Sequence, residues 1–196
     1  MTFKPRIGLD LDGVVVDWTR KVLEMFNARS WGSSHPYNFD PAIEPPYWDW
    51  IKDQVRPGDW TWLWNDGMRE SYSDALPYAG AQRFAYQLRK LGDIIVMTSR
   101  PEGTWTDTIE WWKKHMAFTP AGYNFFRDGK EKGNVKCDYL IEDNAEYAET
   151  YKICTPTATV LLFDRAWNRD AGEWALGLER VHSYDEVLRT IREDLE

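Results

Sequence analysis

The chain has 196 residues, of which 43% are hydrophobic, and a formal net charge of −8. This length and composition predict one domain, or a core with a small insert, and argue against disorder. The acidic balance disfavours a nucleic-acid polymer as partner, no stretch is apolar enough to span a membrane, and only two cysteines favour a reducing cytoplasmic location.

The first predicted element is a buried strand that opens residues 6–16 and ends at Asp10. Its short apolar run, followed at once by acids and a glycine, is typical of a strand in a parallel sheet. The pattern then changes over residues 17–76, where apolar residues at helical spacing are mixed with prolines and aromatics. We predict that residues 17–76 form a small helical, tryptophan-rich cap inserted after the first strand.

Strands and helices alternate after residue 77. Four more apolar runs read as strands: DIIVMTSR, YNFF, CDYLIEDN and ATVLLFD. Amphipathic helical patterns occur between several of them and at the end of the chain. The alternation predicts an α/β fold, a three-layer Rossmann-like parallel sheet with helices on both faces, formed by residues 1–16 and 77–196.

Polar side chains follow four of these predicted strands, at the end of an open α/β sheet where ligands bind. They are Asp10 and Asp12 after the first strand, Thr98 and Ser99 after the second, Lys130 and Lys132 after the third, and Glu142 and Asp143 after the fourth. Crowded carboxylates repel one another unless a cation joins them, and hard oxygen ligands suit Mg²⁺. A phosphoryl group would complete such a site. Mg²⁺ and a lysine would neutralise its oxygens, one aspartate would attack phosphorus, and a second could protonate the leaving oxygen.

The order of these motifs resembles the haloacid dehalogenase superfamily, and within it the 5′(3′)-deoxyribonucleotidases. The resemblance covers Arg6 to about Asp164. It includes the position of the insert, the stretch KGNVKCDYLIED at residues 132–143, and the segment LLFDRAWNR at residues 161–169. It implies a magnesium-dependent phosphomonoester hydrolase that acts through an aspartyl-phosphate intermediate on a small phosphorylated substrate, a (deoxy)ribonucleoside monophosphate.

The resemblance also implies roles for individual residues. Asp10 is the nucleophile and a metal ligand, Asp12 is the general acid and base with its backbone carbonyl on the metal, and Asp143 is the third protein ligand of Mg²⁺. The phosphate-binding residues are Thr98 and Lys132, with Ser99 nearby and Lys130 as the alternative lysine. Two positions depart from the family or add to it. Glu142 stands where an aspartate is usual, and Arg100 either contacts the phosphate or forms a surface ion pair.

The predicted cap contains many of the chain's twelve tryptophans. A small insert with few aliphatic residues needs aromatic side chains for its own core, and most of them are expected to serve there. We hypothesise that one or two instead face the site and stack on a nucleobase. The candidates for this substrate pocket are Phe26, Trp60, Trp62, Trp64 and Arg100. The three tryptophans alternate along the chain, so they would share one face of an extended segment.

Two alternatives remain open from the sequence. The same chemistry could serve another small phosphoester, such as a sugar phosphate or the 3′-phosphate end of a nucleic acid. A non-catalytic binding protein on this fold is the second alternative, although the retained acids and lysine argue against it. The oligomeric state stays open.

Overall fold

The structure is a computed structural model that describes residues 4–30, 33–170 and 177–196. Its strands are β1 (Arg6–Leu9), β2 (Val16–Asp17), β3 (Leu76–Pro77), β4 (Asp93–Thr98), β5 (Gly122–Phe125), β6 (Tyr139–Glu142), β7 (Thr159–Phe163) and β8 (Glu179–Val181). Six of them form one parallel sheet in the order β5-β4-β1-β6-β7-β8. The first strand of the chain therefore lies inside the sheet, between β4 and β6.

The helices fall into an insert group and a core group. They are α1 (Trp18–Ser30), α2 (Trp50–Gln54), α3 (Pro57–Trp62), α4 (Met68–Ser73), α5 (Ala81–Leu91), α6 (Trp105–His115), α7 (Ala145–Cys154) and α8 (Tyr184–Leu195). A π-helical turn, Leu63–Gly67, joins α3 to α4, and a 3-10 turn, Gly129–Asn134, follows β5. Within the described ranges, none of these helices has the length and apolarity needed to cross a membrane.

Helices cover both faces of the sheet. Alternate strand residues such as Ile7 and Val96 face the cluster formed with α5, α6 and α8. On the other face of the sheet, Ile95 of β4 and Leu140 of β6 belong to a second cluster, which contains Tyr151 of α7. A strand buried on both faces has an apolar run instead of an alternating pattern, which is why these strands were recognisable. The predicted three-layer α/β fold is confirmed.

The insert between residues 17 and 76 begins and ends at one point on the core. There β2 pairs antiparallel with β3, with Val16 opposite Pro77 and Asp17 opposite Leu76. The helices α1 to α4 lie between these strands. Residues of α1, α2, α3 and the π-helical turn form a separate hydrophobic cluster, which includes fully buried Phe26. The sequence did not predict β2, β3 or β8, because two- and three-residue strands are too short to show a period.

Candidate active site

Three neighbouring strands end at the same edge of the sheet and carry the predicted polar residues there. In the parallel register, Leu9 of β1 lies beside Val96 of β4 and Ile141 of β6. Asp10 follows β1 directly, and Thr98 is the last residue of β4. Because parallel strands point the same way, their carboxyl ends bring these groups to one rim.

Lys132 connects the acids of β1 and β6. Its ammonium lies 2.7 Å from Oδ1 of Asp10 and 2.6 Å from Oε2 of Glu142, and its side chain is buried. Burial alone would lower the pKa of Lys132, but the two carboxylates raise it above its ordinary value, so the ammonium stays charged. The alternative lysine, Lys130, instead pairs with Glu146 at 2.6 Å on the surface.

Glu142 has a structural role that the sequence left unassigned. Its Oε2 accepts the hydrogen bond from Lys132, and its Oε1 accepts one from the backbone N–H of Asn144 at 3.1 Å. Both oxygens are therefore engaged, and the side chain is buried. Glu142 therefore holds the lysine in position beside Asp10.

Asp143 is fixed by the loop that follows β7. The indole N–H of Trp167 donates to Oδ2 of Asp143 at 2.9 Å, and the amide of Asn168 donates to its backbone oxygen at 2.7 Å. The chain also passes close to the Asp143 carboxylate at Gly13, where φ is +82°. A Cβ at Gly13 would overlap the Asp143 carboxylate, so the close approach requires glycine at this position.

The acidic cluster has the properties of a cation site. Carboxylate oxygens of Asp10, Glu142 and Asp143 lie within 4.8 Å of one another. Burial, and then the charge of Glu142, raises the pKa of Asp10 to about 7 and that of Asp143 well above its ordinary value. Three carboxylates against one lysine leave an excess of negative charge that a divalent cation would neutralise, and hard oxygen donors suit Mg²⁺. The residues present therefore fit a bound metal.

Asp12 pairs with Arg100 in the structure. The Arg100 guanidinium donates from Nε and Nη2 to the two carboxylate oxygens of Asp12, at 2.8 and 2.6 Å. The arginine side chain is 1% exposed, while that of Asp12 is 26% exposed and lines the cavity above the rim. The expectation of a surface ion pair for Arg100 is therefore wrong, because the arginine side chain is buried.

A cavity of about 290 Å³ lies between the rim and the insert. The rim contributes Asp10, Asp12, Thr98, Ser99, Arg100, Lys132 and Asp143 to its lining. The insert contributes an aromatic wall that includes Trp18, Tyr47, Trp48, Trp60, Trp64 and Tyr72. The space is therefore polar and charged at the sheet and aromatic on the opposite side.

Two of the predicted pocket residues lie elsewhere. Phe26 is fully buried in the core of the insert, and Trp62 packs against it with ring centroids 6.4 Å apart. The segment is helical and not extended, so residues four apart share a face and residues two apart do not. Trp60 and Trp64 accordingly meet with ring centroids 5.7 Å apart and line the cavity, whereas Trp62 points away.

Comparison with known families adds one decisive match. The model of the family described as 5′ nucleotidase, deoxy (pyrimidine), cytosolic type C protein matches residues 4–194. The chain belongs to this family. The resemblance to haloacid dehalogenase-type nucleotidases is thereby confirmed. No curated protein gives a significant sequence match.

Solved structures share the fold of this type C nucleotidase family member at low sequence identity. A protein described as a predicted phosphatase from Clostridium acetobutylicum is 16% identical, with a TM-score of 0.64 over 98% of this chain and 100% of that one. A haloacid dehalogenase-like hydrolase from Streptococcus pneumoniae is 13% identical, with a TM-score of 0.63 over 97% and 99%. A third hydrolase of the same superfamily, from Deinococcus radiodurans and with bound phosphate and sodium, is 14% identical, with a TM-score of 0.61 over 97% and 96%.

Sequence reasoning missed three contacts in this nucleotidase family member: the lysine-fixing role of Glu142, the Arg100–Asp12 pair, and the bond from Trp167 to Asp143. Only Trp167 carried a usable signal, because it follows β7, the strand next to β6, at the same edge of the sheet. Side-chain pairing between distant segments has no comparable sequence pattern.

Proposed function

We propose that the chain is a magnesium-dependent phosphatase that hydrolyses (deoxy)ribonucleoside monophosphates through an aspartyl-phosphate on Asp10. Residues 17–76 act as the cap over the site. The observation that carries the proposal is the position of Asp10, which lines a cavity with an aromatic wall, bonds Lys132 at 2.7 Å and lies within 4.8 Å of the Asp143 carboxylate. The family description supports the substrate class and, with its reference to cytosolic proteins, a cytoplasmic location.

The proposed reaction has two steps. A carboxylate oxygen of Asp10 attacks phosphorus in line, a bond forms between them, and the bond from phosphorus to the ester oxygen of the substrate breaks. Asp12 gives a proton to that oxygen, which leaves as an alcohol. Asp12 then takes a proton from a water molecule that attacks the aspartyl-phosphate, which releases inorganic phosphate and restores Asp10.

The remaining residues hold the reacting groups. Lys132 and Thr98 bind the phosphoryl oxygens, with Ser99 beside them, and the fixed ammonium stabilises the charge that develops there. Asp10, Asp143 and the backbone carbonyl of Asp12 would hold Mg²⁺. The chemistry that Mg²⁺ supplies when bound is neutralisation of the phosphoryl oxygens.

A substrate panel tests the proposal. The purified chain with Mg²⁺ would be assayed for phosphate release from nucleoside 5′- and 3′-monophosphates, sugar phosphates and an oligonucleotide with a 3′-phosphate. We expect nucleoside monophosphates to be preferred, EDTA to abolish turnover, and added Mg²⁺ to restore it. A preference for sugar phosphates would contradict the substrate class, and turnover insensitive to EDTA would contradict the metal requirement.

Trp64 tests the aromatic wall. Stacking on a base is worth about 1–3 kcal/mol, so Trp64→Ala is expected to raise KM for a nucleoside 5′-monophosphate about fivefold or more. The KM for ribose 5-phosphate, which has no base, is expected to stay unchanged. Tyr86→Ala, which removes an exposed aromatic residue outside the cavity lining, serves as control. Equal effects of Trp64→Ala on both substrates would mean that Trp64 does not contact a base.

Trp167 tests how the metal ligand is fixed. Partners that orient a metal ligand typically contribute about 10–100-fold to metal affinity, so Trp167→Phe, which removes the N–H donor, is expected to weaken Mg²⁺ binding about tenfold or more. Calorimetry on the substrate-free protein measures this directly. Trp112→Phe removes an equivalent indole hydrogen bond, to the carbonyl of Phe118 at 2.8 Å, and is the control. Unchanged Mg²⁺ affinity in Trp167→Phe would rule out this role.

A further inference from the structure

Arg100 is a buried cation whose donors are directed at neighbours on several elements. Two of its nitrogens bond both oxygens of Asp12, and Nη1 lies 3.2 Å from Oγ1 of Thr108 on α6. That hydroxyl in turn donates to the backbone oxygen of Thr104 at 2.9 Å. The guanidinium carbon also lies 4.7 Å from the ring centroid of Tyr72, a residue of the insert. The arginine is therefore fixed by the core and the insert together.

This arrangement determines where the Asp12 carboxylate points. A guanidinium that bonds both oxygens fixes the plane as well as the position of a carboxylate, which a lysine cannot do. Both residues line the cavity, and Asp12 is the more exposed partner, with 26% of its side chain exposed against 1% for Arg100. The side of Asp12 that faces the cavity is the side from which a proton can reach a substrate oxygen.

We propose that Arg100 is a positioning residue that orients Asp12 toward the leaving oxygen of the substrate, and that the phosphoryl group is bound without it. This inference rests on the proposed function. It gives Arg100 a role different from the phosphate contact considered from the sequence. Arg100 also contacts Tyr72 of the insert, so the orientation of Asp12 depends on how the insert packs on the core.

Leaving-group dependence distinguishes the two roles. In the first step, the bond from phosphorus to the ester oxygen breaks while Asp12 gives that oxygen its proton. A nucleoside leaves as an alcohol and needs the proton, whereas p-nitrophenol leaves readily as its anion and does not. The ratio kcat/KM reports the steps up to this first bond cleavage, so a misplaced Asp12 lowers kcat/KM for the nucleotide far more than for p-nitrophenyl phosphate.

The main variant is Arg100→Lys, which keeps the charge and removes the two-pronged contact. General acid catalysis contributes about 10²–10⁴-fold, so we expect kcat/KM for a nucleoside 5′-monophosphate to fall about 100-fold. The value for p-nitrophenyl phosphate is expected to fall less than about threefold, with a similarly small change in inhibition by inorganic phosphate. The matched control is Arg69→Lys, because Arg69 bonds Asp107 through the same two nitrogens, both at 2.8 Å, on the surface.

Thr108→Val is a second, milder variant that preserves the buried charge and its contact with Asp12. It removes only the hydroxyl beside Nη1 of Arg100, and is expected to give the same substrate pattern with a loss of about threefold for the nucleotide. This variant keeps the inference testable if Arg100→Lys does not fold, as judged by circular dichroism and thermal unfolding.

The possible outcomes separate the hypotheses. Equal losses on both substrates with weaker phosphate inhibition would make Arg100 a phosphate-binding residue and overturn the inference. Unchanged kinetics in both variants would overturn it as well. A wild-type protein that hydrolyses neither substrate would overturn the proposed function, and this inference with it, whereas a selective loss on the nucleotide supports both.

Discussion

Replacement of Asp10 by asparagine is expected to lower phosphate release from every substrate by about 10⁴-fold or more, the scale seen when an enzyme loses its nucleophile. An amide oxygen does not attack phosphorus effectively, but it still accepts the hydrogen bond that Lys132 gives Asp10 at 2.7 Å. The fold is expected to tolerate the change. Burial and the charge of Glu142 raise the pKa of Asp10 to about 7, so its ionised form is less favoured there than in an exposed aspartate.

The measurement is steady-state phosphate release with Mg²⁺, together with thermal unfolding of the same preparations. Asp66→Asn is the control, since it makes the same chemical change at an exposed position outside the cavity lining. If Asp10→Asn kept turnover within tenfold of the wild type, the nucleophile assignment would be wrong.

Alanine at position 13 is expected to weaken Mg²⁺ binding about 100-fold or more and to abolish turnover with it. The backbone at Gly13 has φ +82°, and the added Cβ would overlap the carboxylate of Asp143. We expect that collision to displace the Asp143 carboxylate from the acidic cluster, because the Cβ would overlap Oδ2, the oxygen that Trp167 holds in place. Backbone strain adds a loss of stability of about 1–2 kcal/mol.

The chain offers a control that isolates the collision from the strain. Gly80 has nearly the same φ, +84°, but a Cβ there would meet the ring of Tyr184 at an ordinary distance of 3.7 Å. Gly80→Ala should therefore lose similar stability and keep its affinity for Mg²⁺. Calorimetry with Mg²⁺ and thermal unfolding of both variants provide the comparison. Equal Mg²⁺ affinities in the two variants would show that the contact between Gly13 and Asp143 does not govern metal binding.

The sequence predicted the parts of the site that strand ends determine. Asp10, Thr98 and Asp143 each follow or end an apolar run, and parallel strands must bring such residues to one edge. For Asp10, Thr98 and Asp143, local pattern and topology were sufficient. Lys132 was preferred over Lys130 because its distance from the acidic strand matches the family that the sequence resembles, and the structure brings Lys132 to Asp10.

The remaining features depend on side-chain geometry that a single sequence does not encode locally. The three alternating tryptophans would share one face of an extended segment. The segment from Pro57 to Gly67 is helical instead, and Trp62 therefore points away from the cavity. The pair formed by Arg100 and Asp12 joins residues 88 positions apart. A tertiary contact of this kind has no local sequence pattern that would predict it.

The position of β1 in the sheet affects how the chain folds during synthesis. This strand is made first, yet it lies between β4 and β6, and Lys132 is separated from Asp10 by 122 positions. Both edges of an apolar strand thus stay unpaired while more than eighty residues leave the ribosome, a condition that favours aggregation and recruits chaperones. A shortened product that lacks β6 and the residue after it cannot assemble the acidic cluster, so the proposed metal affinity arises only after the chain has been made past Asp143.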